Sequence, residues 1–316
     1  MPTFAETCLV DNACQEVLLE TLSPNSQNTY TLADICTLMN CKLSLGIVPL
    51  LKRTQQNYFV YNVDIPIVQG QSYYQFPARA IGNAVRDVVL LDASGNEVAL
   101  NNLEREYIKV QFPFNFVPSI WSFGMYTSSN GVNLYNTLIQ SYTAYKLRFI
   151  TERRPGVLTL SENCGQITAI TGNVLTLSNF PTDWTTASLF DIIAPLPPFN
   201  TVADDVAITD INGQQITLTS APAGIAKGQW VCQSMMSCIP QIPYEFFPLL
   251  KQMTIATVAT GLDMSQLLAS ANAEIKDMKD DALALARPRI TGSPKVIINK
   301  DSFGSRGFGG IGGGWR

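Results

Sequence analysis

The spacing of apolar residues along this chain switches from helical to alternating and back again. Near the start, Thr3 followed by Glu6 has the spacing of a capping box and predicts a helix over about 4–20. SPNSQNTY then reads as a loop. Thr31 can cap a second helix, with Leu32, Ile35, Cys36, Met39 and Leu43 at three-and-four spacing on one face, and a break or bend is expected near Gly46 to Pro49. From Asn57 the period shortens. YFVYNVDIPIVQGQSYYQFP and AVRDVVLLDASGNEVAL are rich in β-branched and aromatic residues, with a turn over 93–96. Seven aromatics lie between Tyr107 and Tyr126, punctuated by Pro113, Pro118 and Gly124, too irregularly for a clean strand pair. Most of these rings read as local core and a minority as a contact surface. SYTAYKLRFITERRPGVL resumes as a strand that leaves toward Arg153-Arg154-Pro155.

An internal repeat follows. ITAITGNVLTL, from Ile167, and ITDINGQQITL, from Ile208, superimpose without a gap at an offset of 41 residues, and Pro181 and Pro222 fall in register behind them. Two copies are too few for a solenoid or propeller. They predict paired β-hairpins, turned at Gly172 and Gly213, packed as one small β-domain.

After PQIPYEFFPLL the helical period returns. Pro243 suits a first turn, and a helix should run through Met253 and Val258 to a stop at Gly261. Asp263 can cap the next helix, whose apolar stripe is Met264, Leu267, Leu268, Ala271, Ile275, Met278, Ala282 and Leu285. That stripe reads as intramolecular core rather than a partner-binding face. Pro288 ends the helix, and SPKVIINK is a short extended segment before a Gly-rich end. The expected fold is α+β: a helical bundle from 1–56 and 239–290, a β-rich domain over 57–160, a sandwich- or barrel-like tandem-repeat insert over 161–238, and an extended arm over 291–316.

Composition adds a lean toward assembly. Charged residues are 15% of the 316, against roughly 25% in typical soluble proteins. A surface poor in charge suits contact with other subunits. Net charge is −4 but uneven: from Arg287 onward the balance is +5, and the rest of the chain carries −9. The basic end, RGFGGIGGGWR, holds aromatic and aliphatic side chains between glycines. It reads either as a solvated tail or as an arm that docks on an acidic surface. No run approaches the ~18 consecutive apolar residues of a membrane span, and the start lacks the basic residues of a signal peptide, so a cytoplasmic, unprocessed protein is expected.

Candidate chemistry is thin. With no His in the chain, Ser-His-Asp and Cys-His arrangements and mixed Cys/His zinc sites are excluded. The seven cysteines include the spacings Cys8/Cys14, Cys36/Cys41 and Cys232/Cys238, without a CxxC. An all-Cys site would need these loose spacings to converge, and the cysteines read as reduced, mostly buried thiols. GFGGIG, Gly307 to Gly312, matches GxGxxG in letters, but that motif works between a strand and a helix, which this stretch does not offer. Asp204-Asp205 and Asp280-Asp281 read as surface acids. Arg153 and Arg154 read either as an inter-subunit ion pair or as a solvated strand end.

The order of segments, with GQSYYQFPARAIGNAVRDVVLLDASGNEV, YKLRFITERRPGVL, PQIPYEFFPLLKQMTIATVATGLDMSQLLASANAEI and SPKVIINKDS in succession, resembles the head-to-tail adaptor (connector) proteins of tailed bacteriophages. The resemblance implies a homo-oligomeric ring, a dodecamer by the family's habit. It would lie in the neck of a virion assembled in the host cytoplasm, clamped to the portal protein above and a tail or nozzle protein below, with genomic DNA passing through its lumen without sequence-specific binding. It implies no catalysis, cofactor, metal or membrane. Phe303, Arg306, Phe308, Ile311, Trp315 and Arg316 are the candidate docking residues of the arm, and Arg153, Arg154, Phe114, Phe116 and Trp121 are candidate subunit or tail contacts. Two other classes stand beside this reading: a receptor- or carbohydrate-binding virion protein using the aromatics of 107–126, and an enzyme built on a carboxylate pair.

Overall fold

The computed structural model describes residues 8–21, 30–55, 57–98, 101–102, 124–128, 130–135 and 144–286. The helices α1 (Val10–Thr21), α2 (Leu32–Lys42) and α3 (Val48–Thr54) come first. The strands β1 (Val60–Pro66), β2 (Tyr73–Gln75), β3 (Ala80–Leu91), β4 (Glu97–Val98), β5 (Asn101–Asn102), β6 (Gly124–Thr127), β7 (Gly131–Tyr135) and β8 (Lys146–Arg153) follow. Next come β9 (Val157–Leu158), β10 (Gly165–Thr171), β11 (Val174–Leu177), β12 (Leu189–Ile193), β13 (Thr201–Asn212), β14 (Gln215–Leu218), β15 (Trp230–Gln233) and β16 (Met236–Ser237). The helices α4 (Phe247–Gly261) and α5 (Ser265–Ala286) close the described part. The fold is therefore mixed helix and strand. The capping pair Thr3/Glu6 and the arm over 291–316 lie outside the described residues.

The helices from the two ends share one core. Cys14 and Val17 of α1, Ile35 and Met39 of α2, and Leu250 and Val258 of α4 are all buried in it. The cap of α2 is a reciprocal one: the Thr31 hydroxyl accepts from the Asp34 N–H at 3.2 Å, and the Asp34 carboxylate accepts from the Thr31 N–H at 2.8 Å. Between α2 and α3 the chain widens into a π-turn, Leu43–Ile47, rather than breaking. Pro49 lacks an N–H and its ring would collide with a carbonyl one turn back, and the wide turn relieves both. Gly46 sits where a Cβ would lie 2.7 Å from the Met253 methyl, so a larger residue here would require that flexible side chain of α4 to move. By length and hydropathy the stretch Leu32–Thr54 could cross a membrane. Its apolar residues Ile35, Met39, Leu43, Ile47 and Leu51 are instead buried against the other elements.

Asp263 does something other than cap α5. It adopts a left-handed conformation (φ 56) just past α4, with its N–H bonded to the Thr260 carbonyl at 3.4 Å and the Met264 N–H bonded to the Ala259 carbonyl at 2.9 Å. This is a Schellman ending with Asp in the position that glycine usually takes. In α5, Ala271 and Ala282 are buried and Leu267, Leu268, Ile275 and Met278 pack on the helical core, whereas Leu285 is exposed.

The β-structure divides into two cores. Sheets β1-β8-β3-β4 and β2-β7-β6-β5 enclose Tyr74, Phe76, Leu90, Leu134, Leu147 and Phe149. A closed six-stranded barrel, β10-β11-β14-β13-β12-β15, surrounds Leu175, Leu177, Phe190, Ile192, Ile216 and Leu218. Hairpins β10–β11 and β13–β14 turn at Gly172 (φ 61) and Gly213 (φ 57), left-handed positions that favour glycine. The barrel is not an isolated unit. Cys164, Ile193, Phe199, Cys232 and Cys238 belong to the helical core, and Phe199 stacks on Phe247 of α4 at 5.3 Å.

The short parallel pair β9–β16 is fastened to α2 by Asn40, whose amide nitrogen donates to the Leu158 carbonyl at 2.8 Å while its oxygen accepts from the Leu158 N–H at 2.6 Å. This side chain stands in for a neighbouring strand. Asn40→Ala leaves the Leu158 N–H without this acceptor, while the Leu158 carbonyl keeps the Cys36 thiol at 3.2 Å, and should lower the unfolding free energy by about 1–2 kcal/mol. Urea unfolding measures it, and a loss within error of zero would mean that water replaces the amide fully.

Candidate functional site: a buried charge junction

Where the first pair of sheets meets the barrel, two arginines face three aspartates. Strand β12 explains how one of them is buried. Phe190 and Ile192 point into the barrel, so Asp191 and Ile193 point to the opposite side, where Ile193 joins the helical core and Asp191 meets Arg79. Arg79 comes from the loop just before β3. Its Nη1 donates to Asp191 Oδ2 at 2.7 Å and its Nη2 to Asp191 Oδ1 at 2.8 Å, a bidentate pair. Asp191 also accepts from the Asp205 N–H at 3.1 Å and the Met235 N–H at 3.0 Å. With Arg79 only 7% and Asp191 only 2% exposed, these bonds compensate the cost of removing both charges from water.

The other two acids sit on a bulge. Phe190 pairs with Val206 and Ile192 with Ala203, so β13 carries one extra residue at Asp204-Asp205 opposite Asp191. Asp205 is left-handed (φ 51) and accepts from Arg79 Nη2 at 2.6 Å and from the Ser234 hydroxyl at 2.6 Å. Asp204 accepts from Arg153 Nη2 at 2.5 Å and from the Tyr61 hydroxyl at 2.9 Å, and Arg153 lies 5.2 Å from the Tyr61 ring centre. Burial, and then the neighbouring Asp204, push the Tyr61 phenol up to about 12, so it stays a donor at neutral pH. Burial alone would raise the Asp205 carboxyl, but hydrogen bonds from Arg79 and Ser234 and the nearby Arg153 hold it below the ordinary value. Beside the junction opens a cleft of about 600 Å³, lined by Tyr58, Tyr61, Arg153, Phe199, Asn200 and Gln241 among others. The arrangement is an electrostatic clamp: it fixes two β-units against each other and leaves a partly aromatic cleft at their seam.

The residues singled out from the sequence fare differently. Asp205 is exposed, as the sequence suggested, and Asp204 is half-buried, but both do more than meet solvent: they accept from Arg79 and Arg153. Asp280 and Asp281 are exposed. Arg153 is engaged within its own chain, whereas the Arg154 side chain is exposed and its N–H donates to the Arg79 carbonyl at 2.6 Å. Phe114, Phe116, Trp121 and the arm residues Phe303, Arg306, Phe308, Ile311, Trp315 and Arg316 lie outside the described residues. Arg79 and Asp191 escaped the sequence reading, although a lone Asp inside the apolar run LFDII was a usable signal that a buried partner must exist. One of the sequence spacings, Cys232/Cys238, does converge, and Cys164 joins it: the three sulfurs lie within 4.8 Å of one another, and elsewhere the free Cys14 and Cys36 thiols are hydrogen-bonded. No protein-family model matches the chain, and no curated protein is detectably similar to it.

Arg79→Leu should cost about 3–5 kcal/mol of stability, because it strands a buried carboxylate. Arg79→Leu with Asp191→Leu should recover part of that, the remainder reflecting the two backbone N–H groups left without an acceptor. A loss under about 1 kcal/mol in the single variant would mean that the junction does not hold the units together. The depressed Asp205 value also sets a pH dependence. Its contribution is complete well above the unfolded carboxylate value of about 3.9 and is lost as pH falls through the lower native value. Unfolding midpoints should therefore drop below about pH 4, and less steeply in Asp205→Asn; identical profiles would assign the acid sensitivity elsewhere.

Proposed function

We propose that this chain is a structural head-to-tail adaptor of a tailed bacteriophage, a ring-forming neck protein that joins portal to tail and lines the DNA channel. The observation that carries the reading is the construction of the body. Helices from both ends of the chain form one core into which the barrel is locked, and two β-units are clamped by an internal charge cluster. A ring component that transmits force between capsid and tail needs such stiffness. Within this proposal the helices are a bundle framing the β-structure. The hairpins β10–β11 and β13–β14 are a tandem repeat, since residues 41 apart take the same parts: Ile167 and Ile208 fill the barrel, and Thr168 and Thr209 hydroxyls donate to the Thr176 and Thr217 carbonyls at 3.0 and 3.2 Å. The exposed side of α5 carries Glu274, Asp277, Asp280 and Asp281 with Lys276 and Lys279 among them, a net acidic stretch of about 10 Å that suits a surface that must let DNA slide past.

In this reading the Gly-rich arm answers to the portal, its glycines letting the backbone lie close while Phe303, Phe308, Ile311 and Trp315 fill pockets and Arg306 and Arg316 pair with acids. Mass photometry of the full chain mixed with the portal protein of the same virus should show a complex heavier than the portal by a fixed multiple of 34.6 kDa. Deleting residues from Ser302 onward should abolish that complex while leaving thermal unfolding unchanged. No complex with the full chain sinks the adaptor reading; normal attachment of the truncated chain sinks only the arm's role.

A further inference from the structure

We propose that Cys164, Cys232 and Cys238 form a three-thiolate site for one soft, closed-shell metal cation, cuprous copper in preference to zinc. Three separate pieces of chain deliver the sulfurs. Cys164 follows the 3-10 turn Ser161–Asn163 and precedes β10, Cys232 lies in β15, and Cys238 follows β16. Strands β10 and β15 pair at Gly165 and Val231, which sets Cys164 beside Cys232. The turn between β15 and β16, with Met235 left-handed at φ 66, folds Cys238 back onto them.

The distances suit a metal better than a disulfide. A cation about 2.3 Å from each of three sulfurs in one plane places them about 4.0 Å apart. The Cys232 and Cys238 sulfurs are 4.0 Å apart, and all three lie within 4.8 Å of one another. A disulfide needs about 2.05 Å and would leave the third thiol over. The surroundings are rigid. The Cys238 carbonyl accepts from the Val10 N–H at 2.9 Å, and the Cys164 N–H donates to the Ser161 carbonyl at 3.0 Å.

The donor set selects the ion. Thiolates favour copper(I) and zinc over harder cations. Structural zinc is bound by four ligands, and among the described residues no fourth Cys or carboxylate joins the group. Copper(I) is satisfied by three. Binding displaces one proton from each thiol to solvent and forms three metal–sulfur bonds, with no change of oxidation state. Because all three cysteines have no solvent exposure, the ion must enter as the barrel closes on the helices, so binding is coupled to folding.

The test uses the full chain, produced in medium supplemented with zinc or with copper, purified without oxygen and analysed for metal by mass spectrometry. About one equivalent per chain is expected from the copper medium, falling below about a tenth in Cys164→Ser and in Cys238→Ser but not in Cys36→Ser, which is also buried but outside the triad. Since the serine variants could misfold, wild-type protein is also unfolded and refolded with copper(I) or zinc, reading metal uptake and the gain in thermal midpoint. One equivalent of zinc instead would keep the three-thiolate site and overturn the copper preference. Less than about a tenth of an equivalent in every arm, or an intact mass two hydrogens light from a Cys232–Cys238 disulfide, overturns the site.

Discussion

The bidentate pair between Arg79 and Asp191 is the constraint from which much of the architecture follows. A charge pair this deeply buried is tolerable only when every polar atom around it is matched. The match reaches beyond the two side chains: Asp191 also takes the N–H groups of Asp205 and Met235. Those two residues are left-handed, a conformation that costs a non-glycine residue of order 1 kcal/mol or more. The strain is local and the four hydrogen bonds offset it. Once Asp205 is so placed, the extra residue of the β13 bulge turns Asp204 toward Arg153 and Tyr61, and a second pair forms beside the first. One buried carboxylate thus fixes the register of β12 on β13, the bulge and the seat of the barrel on the sheets.

Local physics was readable in the sequence, and long-range pairing was not. The Thr31 cap, the hairpin glycines and the stop at Gly261 each depend on residues a few positions apart, so type and spacing reveal them. Asp263 misled because an Asp before a helix has two uses, N-cap and left-handed terminus, and only the hydrogen bonds to Ala259 and Thr260 separate them. Arg79 and Asp191 are 112 positions apart, and nothing in FPARAIG names a partner in LFDII. Asp204-Asp205 resembled surface acids because adjacent carboxylates usually are. The candidate metal site was hidden for the same reason. Spacing paired Cys232 with Cys238, but the third sulfur belongs to a residue 68 positions before Cys232 that no local pattern connects to them.

The way the units interlock bears on what the protein can do. Phe199 leaves the barrel at a left-handed position (φ 56) and stacks on Phe247 of α4, while the barrel strand β12 sends Ile193 into the same helical core. The insert therefore cannot swing as a free lobe without breaking apolar packing. Its polar tether, Arg153 to Asp204, lies along the same cleft as Phe199 and opposes the same motion. Motion between these parts is costly, so contacts with partners would be made by surfaces that the body holds in fixed positions.

The turn between β15 and β16 joins the two internal sites. Met235 donates its N–H to Asp191, and its carbonyl accepts from the Val157 N–H at 2.7 Å. Cys232 and Cys238 lie three residues to either side of it. The charge junction therefore sets the turn, and the turn sets how far apart two of the three sulfurs stand. Loosening Asp191 would let the Cys238 backbone drift from Cys232, and a cation held by the three sulfurs would resist that drift. The two sites are linked through one seven-residue span, 232–238, which couples the polar seam of the β-units to the core of the helices.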